Sequence, residues 1–233
     1  MNWGGKSRES VVTSAAASPR GVATVPAPAT ADRNVRVSHA MKDFLWLISD
    51  AKHGRILDLG PVWQSTVNFF IERGFRVSTE DVLRSWKEFL GEEEERLRSA
   101  PVGSEAVALS PDVLAEKFLE TSLRYSAENF HGVLAWDLCD YFDKGLMTRI
   151  VSRLYDLLRP GGAVLALFHS RRPERFHRYR IMDRDSVELI AAPPATPHER
   201  IFQNREILNL FGQFRSSKTF VGRDQIREGL FLK

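Results

Sequence analysis

The sequence predicts a doubly wound α/β domain built on a mostly parallel sheet, and three observations carry that prediction. An aliphatic run, Arg55-Ile56-Leu57-Asp58-Leu59, ends in Gly60-Pro61. Apolar residues at helical spacing follow, Val67, Phe70 and Ile71, and Gly74 closes the segment. A second run, Ala163 to Phe168, is apolar at every position, as a parallel strand covered on both faces must be. Finally, the segments 218–221 and 226–232 are strand-like and close enough in sequence to pair antiparallel. A strand that turns through glycine into a helix is the first unit of a nucleotide-type fold. Ligands of such folds lie beyond the carboxyl ends of the strands, where the strand order reverses.

A chain of 233 residues can bury a core as one domain with extensions. Its net charge of +3 is too slight to imply nucleic-acid binding by itself. Cys139 is the single cysteine, which excludes an internal disulfide and fits a reducing compartment. No apolar run approaches the roughly 20 residues of a membrane span. The N-terminus lacks the apolar core of a signal peptide, so a cytoplasmic protein without membrane association is expected.

Residues 1–36 are rich in Ala, Ser, Pro, Val and Thr and read as a disordered tail, leaving 37–233 as the folded domain. Ser38 is placed to cap a helix with Met41, Phe44, Leu45 and Ile48 on one face. After Gly74, Phe75 to Thr79 alternates as a half-buried strand and ends in Glu80-Asp81; Asp81 also suits a helix N-cap. The next helix, 82–99, turns Leu83, Trp86, Phe89 and Leu90 inward. Its acidic tail offers Glu92–Arg96 and Glu94–Arg98 pairs and reads as a solvated face, with no metal site. Ser110-Pro111-Asp112 starts another helix, with Val113, Leu114, Phe118 and Leu119 as its apolar stripe. A third strand is sought at Ser122 to Tyr125, with Val107 to Leu109 as the second choice.

Gly132 to Asp137 reads as a buried strand. A helix bearing Leu146, Ile150, Leu154 and Leu157 follows, and the breaker Arg159-Pro160-Gly161-Gly162 ends it. Beyond His169 arginines stand at 171, 172, 175, 178 and 180. The segments 179–182 and 187–190 form a hairpin, so 170–200 is read as a lid or hairpin insertion. A short helix is expected at 206–211.

The order of these segments resembles the class I S-adenosylmethionine-dependent methyltransferases. Ile56-Leu57-Asp58-Leu59-Gly60 is similar to their first motif, and Leu158-Arg159-Pro160-Gly161-Gly162 to the hinge before their fifth strand. The stretch from Tyr125 to Asp137 resembles the one spanning their third and fourth strands, and the closing pair fits their reversed seventh strand. The resemblance implies a Rossmann-like, seven-stranded sheet with an antiparallel C-terminal strand, and S-adenosylmethionine as cofactor. It further implies cofactor contacts from Asp58, Gly60, Glu80, Leu123 and Asp137, with Glu80 on the ribose. One departure stands out, because the family's two further glycines are replaced here by Val62 and Gln64. A Cβ at position 62 is expected to press on the cofactor, whereas glycine lets backbone approach closely.

Methyl transfer from a sulfonium depends mainly on alignment, aided by a base when the acceptor carries a proton. By position the candidate catalytic residues are Asp137, Tyr141 and His169, and the acceptor expected is a small molecule. Two other readings stay open: a methyltransferase-like binding or scaffolding protein without catalysis, and an RNA methyltransferase using the arginine-dense 171–180 stretch. Cys139 reads as buried filler, since no histidine is placed beside it by sequence.

Overall fold

The computed structural model describes residues 34–51, 53–100, 108–194, 197, 200–222 and 224–233. Most of the expected 1–36 tail lies outside them, as does Val107. Residues 34–36, assigned to that tail by sequence, correct the boundary. Val35–Val37 is a strand, β1, in antiparallel register with residues 186–188. A three-residue strand has no periodicity to betray it; what fixes it is Arg36. That guanidinium is buried and ion-paired to Asp224 at 2.6 Å and to Glu228 at 2.8 Å.

The main sheet grows from the first predicted strand, β2 (Arg55–Asp58), flanked in parallel by β3 (Arg76–Thr79) and β4 (Phe130–Trp136). β5 (Leu158–His169) continues the parallel set, and β9 (Ile226–Leu232) slots in reversed between β5 and β8 (Ser216–Val221). The order β3-β2-β4-β5-β9-β8 places the reversal of strand order between β2 and β4. The sheet is thus mostly parallel with an antiparallel late strand, as expected, and among the described residues it has six strands where seven were implied. The third strand sought at Ser122–Tyr125 is a bend. Leu123 lies at φ 56°, a left-handed conformation that strands exclude. The carbonyls of Leu123 and Tyr125 accept hydrogen bonds from the Arg153 guanidinium instead of from a ladder.

Strand periodicity sorts the core into two layers. Leu57, Val133, Val164, Ala166 and Phe168 face one side, and Ile56, Leu134, Leu165 and Leu167 face the other. The first layer is covered by α3 (Val82–Arg98), α4 (Pro111–Thr121), α5 (Lys144–Leu157) and α6 (Asn204–Leu210). The second is covered by α1 (His39–Ile48), α2 (Gln64–Ile71) and the small sheet β1-β7-β6, whose hairpin is β6 (His177–Ile181) and β7 (Ser186–Ala191). The 170–200 insertion is therefore partly a hairpin that covers the core.

Local signals behave as their chemistry requires. The Ser38 hydroxyl accepts from the Met41 N–H at 3.1 Å, and Asp81 and Ser110 cap α3 and α4 in the same way. Two details differ. The inward face of α2 is Thr66, Phe69 and Phe70, while Ile71 is exposed, because 66, 69 and 70 share one helical face. In the acidic tail of α3 the ion pairs are Glu93–Arg96 and Glu95–Arg98, at i,i+3, in place of the expected Glu92–Arg96 and Glu94–Arg98.

Candidate functional site

Three parallel strands end in carboxylates or run into them, and the backbone delivers these to one edge of the sheet. Asp58 closes β2, Glu80 follows β3, and Asp137 follows β4. His169 closes β5, and the 3-10 turn Leu138–Tyr141 after β4 adds Asp140 and Tyr141.

Asp58 is buried, and its Oδ1 accepts the Trp136 indole N–H at 2.7 Å and the Gly60 backbone N–H at 3.0 Å. Burial pushes its carboxyl up to about 6, outweighing those two hydrogen bonds, which favour the ionised form. Its Oδ2 is buried with no hydrogen-bond partner among the described residues. Glu80 has moved toward the bend that replaces the third strand, and its Oε1 accepts the Leu123 N–H at 2.8 Å. The Leu123 side chain is buried in the core with α3 and α4.

Asp137 accepts the Tyr179 hydroxyl at 3.0 Å. Burial raises its carboxyl to about 7; His169 opposes the rise and Asp140 adds to it. His169 is anchored twice by Asp140 Oδ2, through its backbone N–H at 2.8 Å and Nδ1 at 2.9 Å, and Nδ1 stands 4.0 Å from Asp137 Oδ2. Burial lowers the pKa of His169, but the Asp140 hydrogen bond and the charges of Asp137 and Asp140 outweigh it, so the net shift is upward. Tyr141 packs beside this pair; burial, and then the negative Asp137 and Asp140, hold its hydroxyl protonated. Cys139 is buried as expected, and burial pushes its thiol well up. Among the described residues no group of three His, Cys, Asp or Glu is arranged to hold a metal ion. No described helix is long and apolar enough to cross a membrane.

Sequence reasoning missed the side chain that dominates the crevice, Trp136. The β4–β5 register shifts between Leu134 and Trp136, and Trp136 sits at φ 47°, which a bulky side chain rarely adopts. Such a bulge re-aims a side chain. The indole is turned over the β2–β4 boundary, hydrogen-bonded to Asp58 and stacked on Tyr179, with centroids 5.6 Å apart and planes 8° off parallel. The crevice lined by Gly60, Pro61, Leu83, Asp137, Arg178 and these two rings has a volume of about 10 Å³, room for a single water. Arg178, ion-paired to Asp81 at 3.1 Å, closes its rim.

Val62, the position expected to press on a cofactor, is 66% exposed and is not among the residues that line the crevice. Thr66, at the start of α2, is engaged by the Ile181 N–H at 3.0 Å. Asp58, Gly60 and Asp137 thus meet around one crevice, Tyr141 and His169 adjoin it through Asp137 and Asp140, and Glu80 and Leu123 bind each other at its far edge. The one sequence-level hint of Trp136 was a large aromatic at the last position of an apolar strand.

No family model matches the chain, and no curated protein sequence does. The chain is similar to several solved structures of low identity. A putative type 11 methyltransferase from Sulfolobus solfataricus is 15% identical with a TM-score of 0.44, over 82% of this chain and 89% of that one. A SAM-dependent methyltransferase from Aquifex aeolicus is 9% identical with a TM-score of 0.44, over 84% and 90%. Burkholderia thailandensis 1,6-didemethyltoxoflavin-N1-methyltransferase, solved with 1,6-didemethyltoxoflavin and S-adenosylhomocysteine bound, is 16% identical with a TM-score of 0.42, over 84% and 79%.

Proposed function

We propose that this chain is an S-adenosylmethionine-dependent methyltransferase acting on a small molecule, with the crevice between β2 and β4 as its cofactor site. The observation that carries the reading is the convergence of Asp58, Asp137, Asp140 and His169 on one edge of the sheet, at the reversal of strand order. The polar groups fit such a cofactor. Asp58 keeps a buried Oδ2, unpartnered among the described residues, to accept a hydrogen bond, and Glu80, at the tip of β3, is the carboxylate we assign to a ribose diol. The space does not fit while Trp136 lies in it. Cofactor entry therefore requires the indole to leave Asp58 and Tyr179.

The cofactor supplies an electrophilic methyl group on sulfur; the rest falls to this chain's residues. Asp140 fixes the His169 ring through Nδ1, the arrangement that holds an imidazole ready to take a proton. Asp137, 4.0 Å away, stabilises the imidazolium that results. Tyr141, held protonated, serves as a hydrogen-bond donor. Burial of the group keeps bulk water from competing.

A second reading, a binding protein of this fold without catalysis, is favoured by the Trp136–Tyr179 stack that fills the crevice. Calorimetric titration with S-adenosylhomocysteine separates the two. The methyltransferase reading predicts saturable binding that an Asp58→Ala, Glu80→Ala double variant loses. No heat of binding from folded protein supports the second reading.

A further inference from the structure

The loop after β5 carries three guanidinium groups within five residues, Arg171, Arg172 and Arg175, and all three are exposed. None of them forms an ion pair among the described residues. Like charges crowded on one short loop repel, so this arrangement costs free energy until an anion offsets it. The loop also shapes a concavity. A cavity of about 270 Å³ opens between it, β6 and the turn before β9, lined by the three arginines with His169 and His177. The acidic residues on its wall are Glu174 and Asp224, and Asp224 is already ion-paired to Arg36. Positive charge therefore outweighs negative there.

We propose that this cavity binds a small anionic ligand through a carboxylate or phosphate group, gripped by Arg171, Arg172 and Arg175 above His169 and His177. Guanidinium forks suit this chemistry because they donate pairs of parallel hydrogen bonds to an oxyanion. The size restricts the ligand. A volume of about 270 Å³ falls just under the range of roughly 300–1,000 Å³ that takes drug-sized molecules, so the anion is compact. Two features favour a small anion over a nucleic acid: the arginines converge on one concavity instead of tracking along a groove, and the whole chain carries only +3. His169 is paired to Asp140, and burial and then His169 lower the pKa of His177, so the arginines carry the positive charge of this wall.

His169 also belongs to the strand-end group, 4.0 Å from Asp137, so a bound anion lies beside the proposed reaction site. The binding inference stands without methyl transfer; where methyl transfer holds, it makes the acceptor an acid or a phosphate ester. The test is calorimetric titration of the full chain with inorganic phosphate and, separately, with succinate. The comparison proteins are an Arg171→Gln, Arg172→Gln, Arg175→Gln triple variant and an Arg215→Gln control, Arg215 being exposed elsewhere.

The expected result is saturable binding of at least one probe, weakened about tenfold or more in the triple variant and unchanged in the control. The tighter probe identifies the group recognised. All three positions are exposed and their mutual repulsion is removed, so melting should match or slightly exceed wild type; if the triple variant melts early, the three single variants replace it, each weakening the same binding. Failure of both probes to saturate overturns the proposal, as does equal binding by wild type and variants. A single-stranded RNA that binds tightly through these arginines and is displaced by neither probe also overturns it. None of these outcomes depends on S-adenosylhomocysteine binding.

Discussion

Replacing Asp58 by Asn gives a pH signature that tests the buried strand-end network without any ligand. Burial raises the Asp58 carboxyl from 3.8 to about 6, so the native protein keeps this proton over a range where the unfolded chain has lost it. A carboxylate shifted upward costs stability as pH climbs from the unfolded value through the folded one. About two pKa units at roughly 1.36 kcal/mol each amounts to about 3 kcal/mol, fully expressed above pH 6. Asparagine has no such cost, and its carbonyl oxygen can still accept the Trp136 and Gly60 hydrogen bonds at Oδ1. Its amide sits where Oδ2 has no partner, which imposes a penalty of about 1–3 kcal/mol, but that penalty is the same at every pH. The quantity to measure is therefore the difference between variant and wild type as pH changes. Urea unfolding at pH 4 and pH 7.5 should show the variant gaining about 2–3 kcal/mol on wild type between the two. Parallel stability curves across that interval would refute the claim that Asp58 is desolvated.

Further expectations follow from particular contacts. Gly60→Ala places a Cβ 3.0 Å from the Trp136 ring, and should cost about 1–3 kcal/mol in urea unfolding and alter tryptophan fluorescence. Arg153→Met removes the donors that satisfy the Leu123 and Tyr125 carbonyls; a loss of about 1–3 kcal/mol and faster amide exchange through 122–125 should result. Asp140→Asn should lower the His169 pKa, read from the imidazole proton shifts in an NMR titration. In wild type the raised His169 contributes stability that is complete below the unfolded value of 6.5 and lost as pH rises through the folded value, so this variant should flatten that decline.

The elements that sequence places well have one property in common, a long run whose periodicity matches its environment. The all-apolar Ala163–Phe168 run and the α5 stripe of Leu146, Ile150, Leu154 and Leu157 are buried as their patterns require. What sequence misplaces is decided by single long-range contacts. The tail boundary moved because Arg36 finds Asp224 and Glu228, both nearly two hundred residues away. Ser122–Tyr125 is a bend and not a strand, and Arg153 on α5 holds the carbonyls of this segment that looked extended. At the candidate site Asp58, Asp137 and His169 were legible because strand ends can be counted from the pattern. Trp136 was not, because its role depends on a bulge against β5 and a left-handed φ, neither of which leaves a trace in residue order. Asp140 lies in the turn after β4, and only the fold shows it beside His169.

If the β2–β4 crevice is a cofactor site closed by Trp136, removing the indole must open it. The most direct test is the affinity of a Trp136→Ala variant for S-adenosylhomocysteine, set against wild type. In wild type the ligand must first break an indole–carboxylate hydrogen bond of about 1.5–3 kcal/mol and an aromatic stack of about 0.5–1.5 kcal/mol. Relief of the strained Trp136 backbone returns part of that cost. The variant should bind roughly a hundredfold tighter, the closed state no longer reducing the competent fraction. Equal affinity in the two proteins, or no binding by a folded variant, would contradict it.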